Sequence, residues 1–157
     1  MTGKNQFNDK RTEIVLWSIA LPGFGQFLNR QYFKGTVLLI LEFLVNIKSN
    51  LNLGIISSFR GDIAAAIAAT DFQWLMFYPC IYMYAIWDAY KDAGGNSVSF
   101  AFLPFVFAAY LGTIGVTYSA SFSFMGNMLG PIWLPIILML VGIGLGLPFT
   151  FFLSRKP

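Results

Sequence analysis

The chain has no histidine, one cysteine and little charge: only 11% of its 157 residues are Asp, Glu, Lys or Arg. Without histidine it lacks the commonest metal ligand and the commonest general base near neutral pH. A lone cysteine excludes an intrachain disulfide. Cys80, between Pro79 and Ile81 in an apolar stretch, reads as a small apolar residue at a helix interface rather than as a reactive or lipidated thiol. The seven carboxylates are scattered, with no nucleophile, base or ligand set among them. The expectation is a non-enzymatic protein with no catalytic residues, no cofactor and no metal site.

What fills the chain instead is apolar. Hydrophobic residues make up 57% and aromatics 18% of the sequence, and the mean hydropathy is +0.66, far outside the composition of soluble domains. The sequence therefore reads as all-α, a polytopic membrane helix bundle forming one domain over 1–157, with the lipid bilayer as its first partner. The net charge of +3 comes from cations spread beside apolar stretches. That distribution fits the positive-inside rule, and with neither a basic patch nor a reading motif it points to no nucleic-acid partner.

Four segments are long and apolar enough to span: 33–47, 72–90, 98–118 and 132–153. Ahead of them, after a polar tail over 1–12, residues 13–29 form a fifth apolar segment, opened by Thr12 as N-cap and broken at Pro22-Gly23. The break leads straight into another apolar span, with no small-residue cleavage site, so the N-terminal segment is read as retained. If 13–29 crosses the membrane, the cations divide evenly, five on each side. If it is re-entrant or lies in the interface, Lys4, Lys10, Arg11, Arg30, Lys34, Lys91, Arg155 and Lys156 share the cytoplasmic side, and only Lys48 and Arg60 face out. The second division obeys the positive-inside rule. It gives four spans, both termini cytoplasmic, in a cytoplasmic membrane.

Residues 48–70 read as an external loop with a short helix. The Arg60-Gly61-Asp62 tripeptide in it is too short to carry weight. Residues 119–130, uncharged and rich in serine, glycine and phenylalanine, read as an external hairpin. Gly94-Gly95 ends a helix on the inner side, with Asn96 or Ser97 capping the next.

Among polar residues, Glu42 is the only carboxylate well inside a span, where charge costs about 2.5–3.5 kcal/mol on translocon-insertion scales. Asn46, one turn further on, shares its face. Either these two form a structural polar pair packed on another helix, or they form a translocation site. Tyr78 and Tyr82, mid-span, need hydrogen-bond partners, for which Glu42 and Asn46 are candidates. Asp88, at the inner end of 72–90, is placed to pair with Arg30 or Lys34, while Gln26, Asn29 and Gln31 are available to the backbone freed by the Pro-Gly break. In the last span Gly142 and Gly146 form a small-xxx-small pair for close packing within the bundle or between subunits of a homo-oligomer. Pro135 and Pro148 suggest kinks.

The run Pro22-Gly23-Phe24-Gly25-Gln26, continuing through Asn29-Arg30-Gln31 to Lys34-Gly35, with Trp87-Asp88-Ala89-Tyr90 as a closing element, resembles the bacterial TM2-domain-like pattern. The resemblance covers about residues 14–93 and leaves out the last two spans. The 48–70 stretch is longer than the two-helix TM2 plan allows. The resemblance implies a small bacterial membrane module without established catalysis. A similar Pro-Gly-x-Gly-Gln segment ahead of some bacterial sugar-importer permease subunits implies other membrane proteins, transporter permeases among them, as partners.

Two functions follow as expectations. The first is an accessory or scaffold subunit, with an ABC-type transporter as one candidate complex, that works through the 22–35 turn and Asp88. The second is a small transporter or channel built on Glu42 and Asn46.

Overall fold

A computed structural model describes residues 2–95 and 98–154, with side chains from residue 9 onward. The expected cap at Asn96 or Ser97 and the cations Arg155 and Lys156 lie outside the described residues. The described chain is mostly helical: α1 Thr2–Ala20, α2 Phe24–Leu28, α3 Tyr32–Ser49, α4 Leu51–Phe59, α5 Ile63–Ala69, α6 Phe72–Leu75, α7 Tyr78–Asp92, α8 Leu103–Tyr118 and α9 Gly130–Ser154. Between α8 and α9 a two-strand antiparallel hairpin pairs β1 Ser123–Phe124 with β2 Asn127–Met128. Met125 and Gly126 turn it with φ of 52° and 83°, the backbone a two-residue hairpin requires. The hairpin expected from composition is therefore present.

Helices α3, α7, α8 and α9 run alternately up and down. Lys34 meets Asp88 while Glu42 meets Tyr78, so α3 opposes α7. Cys80 lies by Thr113 and Trp87 by Phe102 and Phe105, so α7 opposes α8. Along α8 and α9, Gly115 touches Pro135, Ala108 touches Gly142, and Pro104 touches Gly146. Proline is the second residue of α7, α8 and α9, where its missing N–H is an orphan in any case and its fixed φ starts the turn. One buried cluster, Leu51, Leu75, Val116 and Ile132, gathers α4, α6, α8 and α9 at one end of the molecule. Another, Met83, Ile86 and Ala108, is closed by Val15, Met139 and Ile143.

Several expectations need correction. Thr12 does not cap a helix, because α1 begins at Thr2 and runs through it; after Gly3 the polar tail contains no breaker. Cys80 is exposed. Residues 48–70 are not a loop: α3 runs to Ser49, Asn50 turns the chain at φ 55°, and α4 and α5 follow. The apolar Leu51 and Ile55, one turn apart, supply the packed face of α4, and Asp62 caps α5 by accepting from the Ala65 N–H. The 72–90 segment is divided at Met76–Phe77 into α6 and α7, with Pro79 restarting the helix. Segment 98–118 becomes helical only at Leu103, beyond Phe100 at φ 61°.

Of the four expected spans, α9 alone among the described residues is long and apolar enough to cross a bilayer as one unbroken helix. The pair α3 and α4 passes the same test across a 65° bend, and α8 is a shorter apolar helix. Neither Pro135 nor Pro148 breaks α9.

Gly142 and Gly146 serve contact within the chain. A Cβ on Gly142 would lie 2.6 Å from the Ala108 backbone, whereas one on Gly144 meets nothing within 4 Å. We expect Gly142→Ala to destabilise the purified protein by about 1–3 kcal/mol, the range for overpacking, and Gly144→Ala to stay within about 0.5 kcal/mol of wild type. Thermal unfolding in mild detergent, followed by circular dichroism, measures the difference.

Candidate functional site

The site is built on a hairpin that doubles back. Along α1, the Arg11 guanidinium lies 5.9 Å over the Tyr90 ring at one end of α7. Two turns further on, the Ile19 carbonyl accepts from the Tyr82 hydroxyl at 2.6 Å. There the chain reverses: Gly23 adopts φ 96°, a left-handed conformation that glycine takes without a Cβ penalty. A Cβ at Gly23 would also sit 2.7 Å from the Gly35 carbonyl, so the tip of the hairpin presses directly on α3. Helix α2 then returns along α7. Gly25 fits between Ser18 and Ala89, where a Cβ would collide with both, and Pro22 is buried beside it.

Amide side chains fasten the returning segment. Gln26, fully buried, donates from Nε2 to the Ala85 carbonyl at 2.8 Å and to Asp88 Oδ2 at 3.1 Å. Asn29 donates to the Ala89 carbonyl at 2.8 Å. Helix carbonyls already bonded along α7 accept these second bonds because each oxygen has two lone pairs. The turn satisfies its own backbone, through Leu21 N–H to the Trp17 carbonyl and Gln31 N–H to the Gln26 carbonyl among others. The sequence expectation that Gln26, Asn29 and Gln31 serve that broken backbone is thus corrected. Gln26 and Asn29 serve α7 instead, and Gln31 contributes through its main chain.

The ion pair is resolved in favour of Lys34. Its ammonium lies 2.9 Å from Asp88 Oδ1 and 3.0 Å from Asp92 Oδ2. Each Asp88 oxygen has a partner: Oδ1 takes Lys34 and Oδ2 takes Gln26. Its side chain is 5% exposed while that of Lys34 is 40% exposed, so the carboxylate is the member that depends on its partners. Arg30 does not join it. At φ 61° Arg30 caps the outside of the turn and is exposed. Beside it Gln31, Tyr32 and Phe33 also project outward, Phe33 at 83% exposure. Asp92 is a partner that the sequence reading overlooks, although its i, i+4 spacing from Asp88 on a helix places both on the face that meets Lys34.

The polar set around Glu42 assembles only in part. Tyr78 donates to Glu42 Oε1 at 3.1 Å, as expected. Tyr82 takes the Ile19 carbonyl instead, and Asn46 does not pair with Glu42 but donates to Asn52 Oδ1 at 3.3 Å. The cause is the bend at Asn50, which swings the start of α4 over the last turn of α3. Gln26 Oε1 and Glu42 Oε2 are buried without a hydrogen-bond partner.

Removing Lys34 leaves a buried charge at Asp88 with Gln26 as its one remaining partner, whereas removing both charges leaves no buried charge there. We expect Lys34→Met to destabilise by about 1–3 kcal/mol, the cost of an unsatisfied buried group, and the double variant Lys34→Met/Asp88→Asn to recover part of that loss. A double-mutant cycle on thermal unfolding measures the coupling. Compared with protein-family models, with curated proteins and with solved structures, the chain matches none.

Proposed function

We propose that this chain is a non-enzymatic, multi-pass protein of a bacterial cytoplasmic membrane, an accessory or scaffold subunit that docks other membrane proteins through the turn between α2 and α3. The membrane reading draws on the surface of α9. Only 17% of its most apolar 18-residue window is buried inside the molecule, while Leu140, Leu145, Leu147, Phe151 and Phe152 project outward. A core helix of a soluble domain would be covered; an uncovered apolar helix of this length suits hydrocarbon. On this reading α3, α6 with α7, α8 and α9 provide four crossings, and α1 with α2 enters and leaves on the cytoplasmic side.

The observation that carries the scaffold role is the contrast within the turn. Gln26, Asn29 and Lys34 hold it on α7, yet Arg30, Gln31, Tyr32 and Phe33 are left exposed. A rigid loop presenting a cation, an amide and two aromatics has the composition of an interface anchor, with little ordering entropy left to lose on binding. Permease subunits of an ABC-type transporter are one class of partner suited to such a cytoplasmic-side contact.

Affinity purification of the tagged protein from its native membrane in mild detergent tests this reading. A stoichiometric membrane partner is expected with the wild-type chain and is expected to be lost with Phe33→Ser or Arg30→Glu, both of which leave thermal unfolding unchanged. Recovery of the chain alone, or of the same partner with both variants, refutes the docking surface.

A further inference from the structure

The short reach of the α1–α2 hairpin leaves a groove. Its tip rests against Gly35, Leu38 and Leu39 of α3 and, through Ile19, against Tyr82 of α7. Glu42 stands one helical turn beyond Leu38, and Tyr78 one turn from Tyr82 in the same direction along the bundle. A groove of about 880 Å³ extends past the hairpin between α1, α7 and α9. On α9 its lining runs from Pro131 to Thr150, about 29 Å at 1.5 Å per residue. Among the described residues, Glu42 is the only charged one that lines it.

Glu42 is unusually placed for a carboxylate. It is 8% exposed; Oε1 accepts one bond from Tyr78, and Oε2 has no partner. A carboxylate offers about four lone-pair sites, so most of its capacity is unused in an apolar setting where charge is costly. The rings of Tyr78 and Tyr82 stack at 5.6 Å and 23°. Because both hydroxyls already donate, to Glu42 and to the Ile19 carbonyl, the pair offers aromatic faces rather than donors.

These features select among occupants. A divalent metal needs several oxygen ligands, and the groove lining holds a single carboxylate. A neutral lipid chain fills the volume but leaves the carboxylate uncompensated. A hydrophobic organic cation meets every feature: its N–H donates to Glu42, its charge lies near tyrosine faces in a cation–π arrangement, and its apolar body occupies the groove. The volume lies within the range of small-molecule sites. We propose that this groove is a binding site for hydrophobic ammonium compounds, with Glu42 as the charge partner. The carboxylate reaches the ligand by turning about its terminal torsion, which is broad and weakly restrained.

The inference rests on the membrane reading above and is independent of the docking role. The test is equilibrium binding of radiolabelled octylammonium to the full chain in phosphatidylcholine nanodiscs, with empty nanodiscs subtracted. Saturable binding is expected, at least tenfold weaker with Glu42→Gln, and octanol is expected to compete at least tenfold less well than unlabelled octylammonium. Ala20→Trp, which fills the groove from α1 and leaves Glu42 intact, is expected to abolish binding, so the inference does not depend on the Glu42 variant folding. Equal binding by Glu42→Gln and Ala20→Trp overturns the site, as does absence of saturable binding; equal competition by octanol makes it a neutral-lipid groove and overturns the charge assignment. A chain that does not enter nanodiscs overturns the membrane reading along with the inference, whereas one that enters and does not bind overturns the inference alone.

Discussion

The bonds from Gln26 and Asn29 to the carbonyls of α7 are the constraint on which the rest of the molecule depends. A reversal at Pro22-Gly23 inside an apolar chain is tolerable only when its backbone is satisfied and packed. The turn meets the first condition through its own main chain and the second through α7. Once Gln26 is fixed at Ala85 and Asp88, few residues remain before α3 starts, and the register of α3 on α7 follows. Lys34 falls opposite Asp88 and Asp92, and two turns later Glu42 falls opposite Tyr78. Each such bond nets about 1 kcal/mol, and those to charge about 1.5–3 kcal/mol. Their larger effect is to choose one arrangement of helices that apolar contacts alone would leave free to slide.

Much of this is legible in the amino-acid sequence. The Pro-Gly-x-Gly-Gln run marks the break at which the chain reverses. Asp88 is visible as an ion-pair partner, but the choice between Arg30 and Lys34 turns on a left-handed φ at Arg30 that a cation does not advertise. Asn46 departs from its expected pairing, although α3 is continuous from Glu42 to Ser49, because the turn at Asn50 brings the Asn52 side chain within reach. The division of α6 from α7 and the late start of α8 are signalled by Pro79 and Pro104, each of which sits comfortably only in a first turn. The amides and serines of residues 48–70 suggest a loop, yet Leu51 to Phe59 carries enough apolar surface to cover the end of α9, where the Trp133 indole donates to the Ser58 carbonyl.

The short hairpin links the two proposed surfaces. Because it turns back at mid-height, one end of the bundle gains a fixed, outward-facing turn at Arg30 to Phe33, and the space above the tip becomes a groove with a single carboxylate. A helix that crossed fully would remove both, filling the groove and carrying the turn to the opposite face. The proposed docking turn and the proposed ammonium groove therefore share one structural cause while relying on different residues.

The most direct measurement of the central claim is the sidedness of the two hairpin ends. In a Cys80→Ser background, single cysteines at Lys10→Cys, Arg30→Cys and Arg60→Cys would be labelled with a membrane-impermeant maleimide in right-side-out and inverted vesicles. A re-entrant hairpin requires residues 10 and 30 to react from the same, cytoplasmic side and residue 60 from the other. Reaction of residues 10 and 30 from opposite sides would make the segment a full crossing and contradict the account.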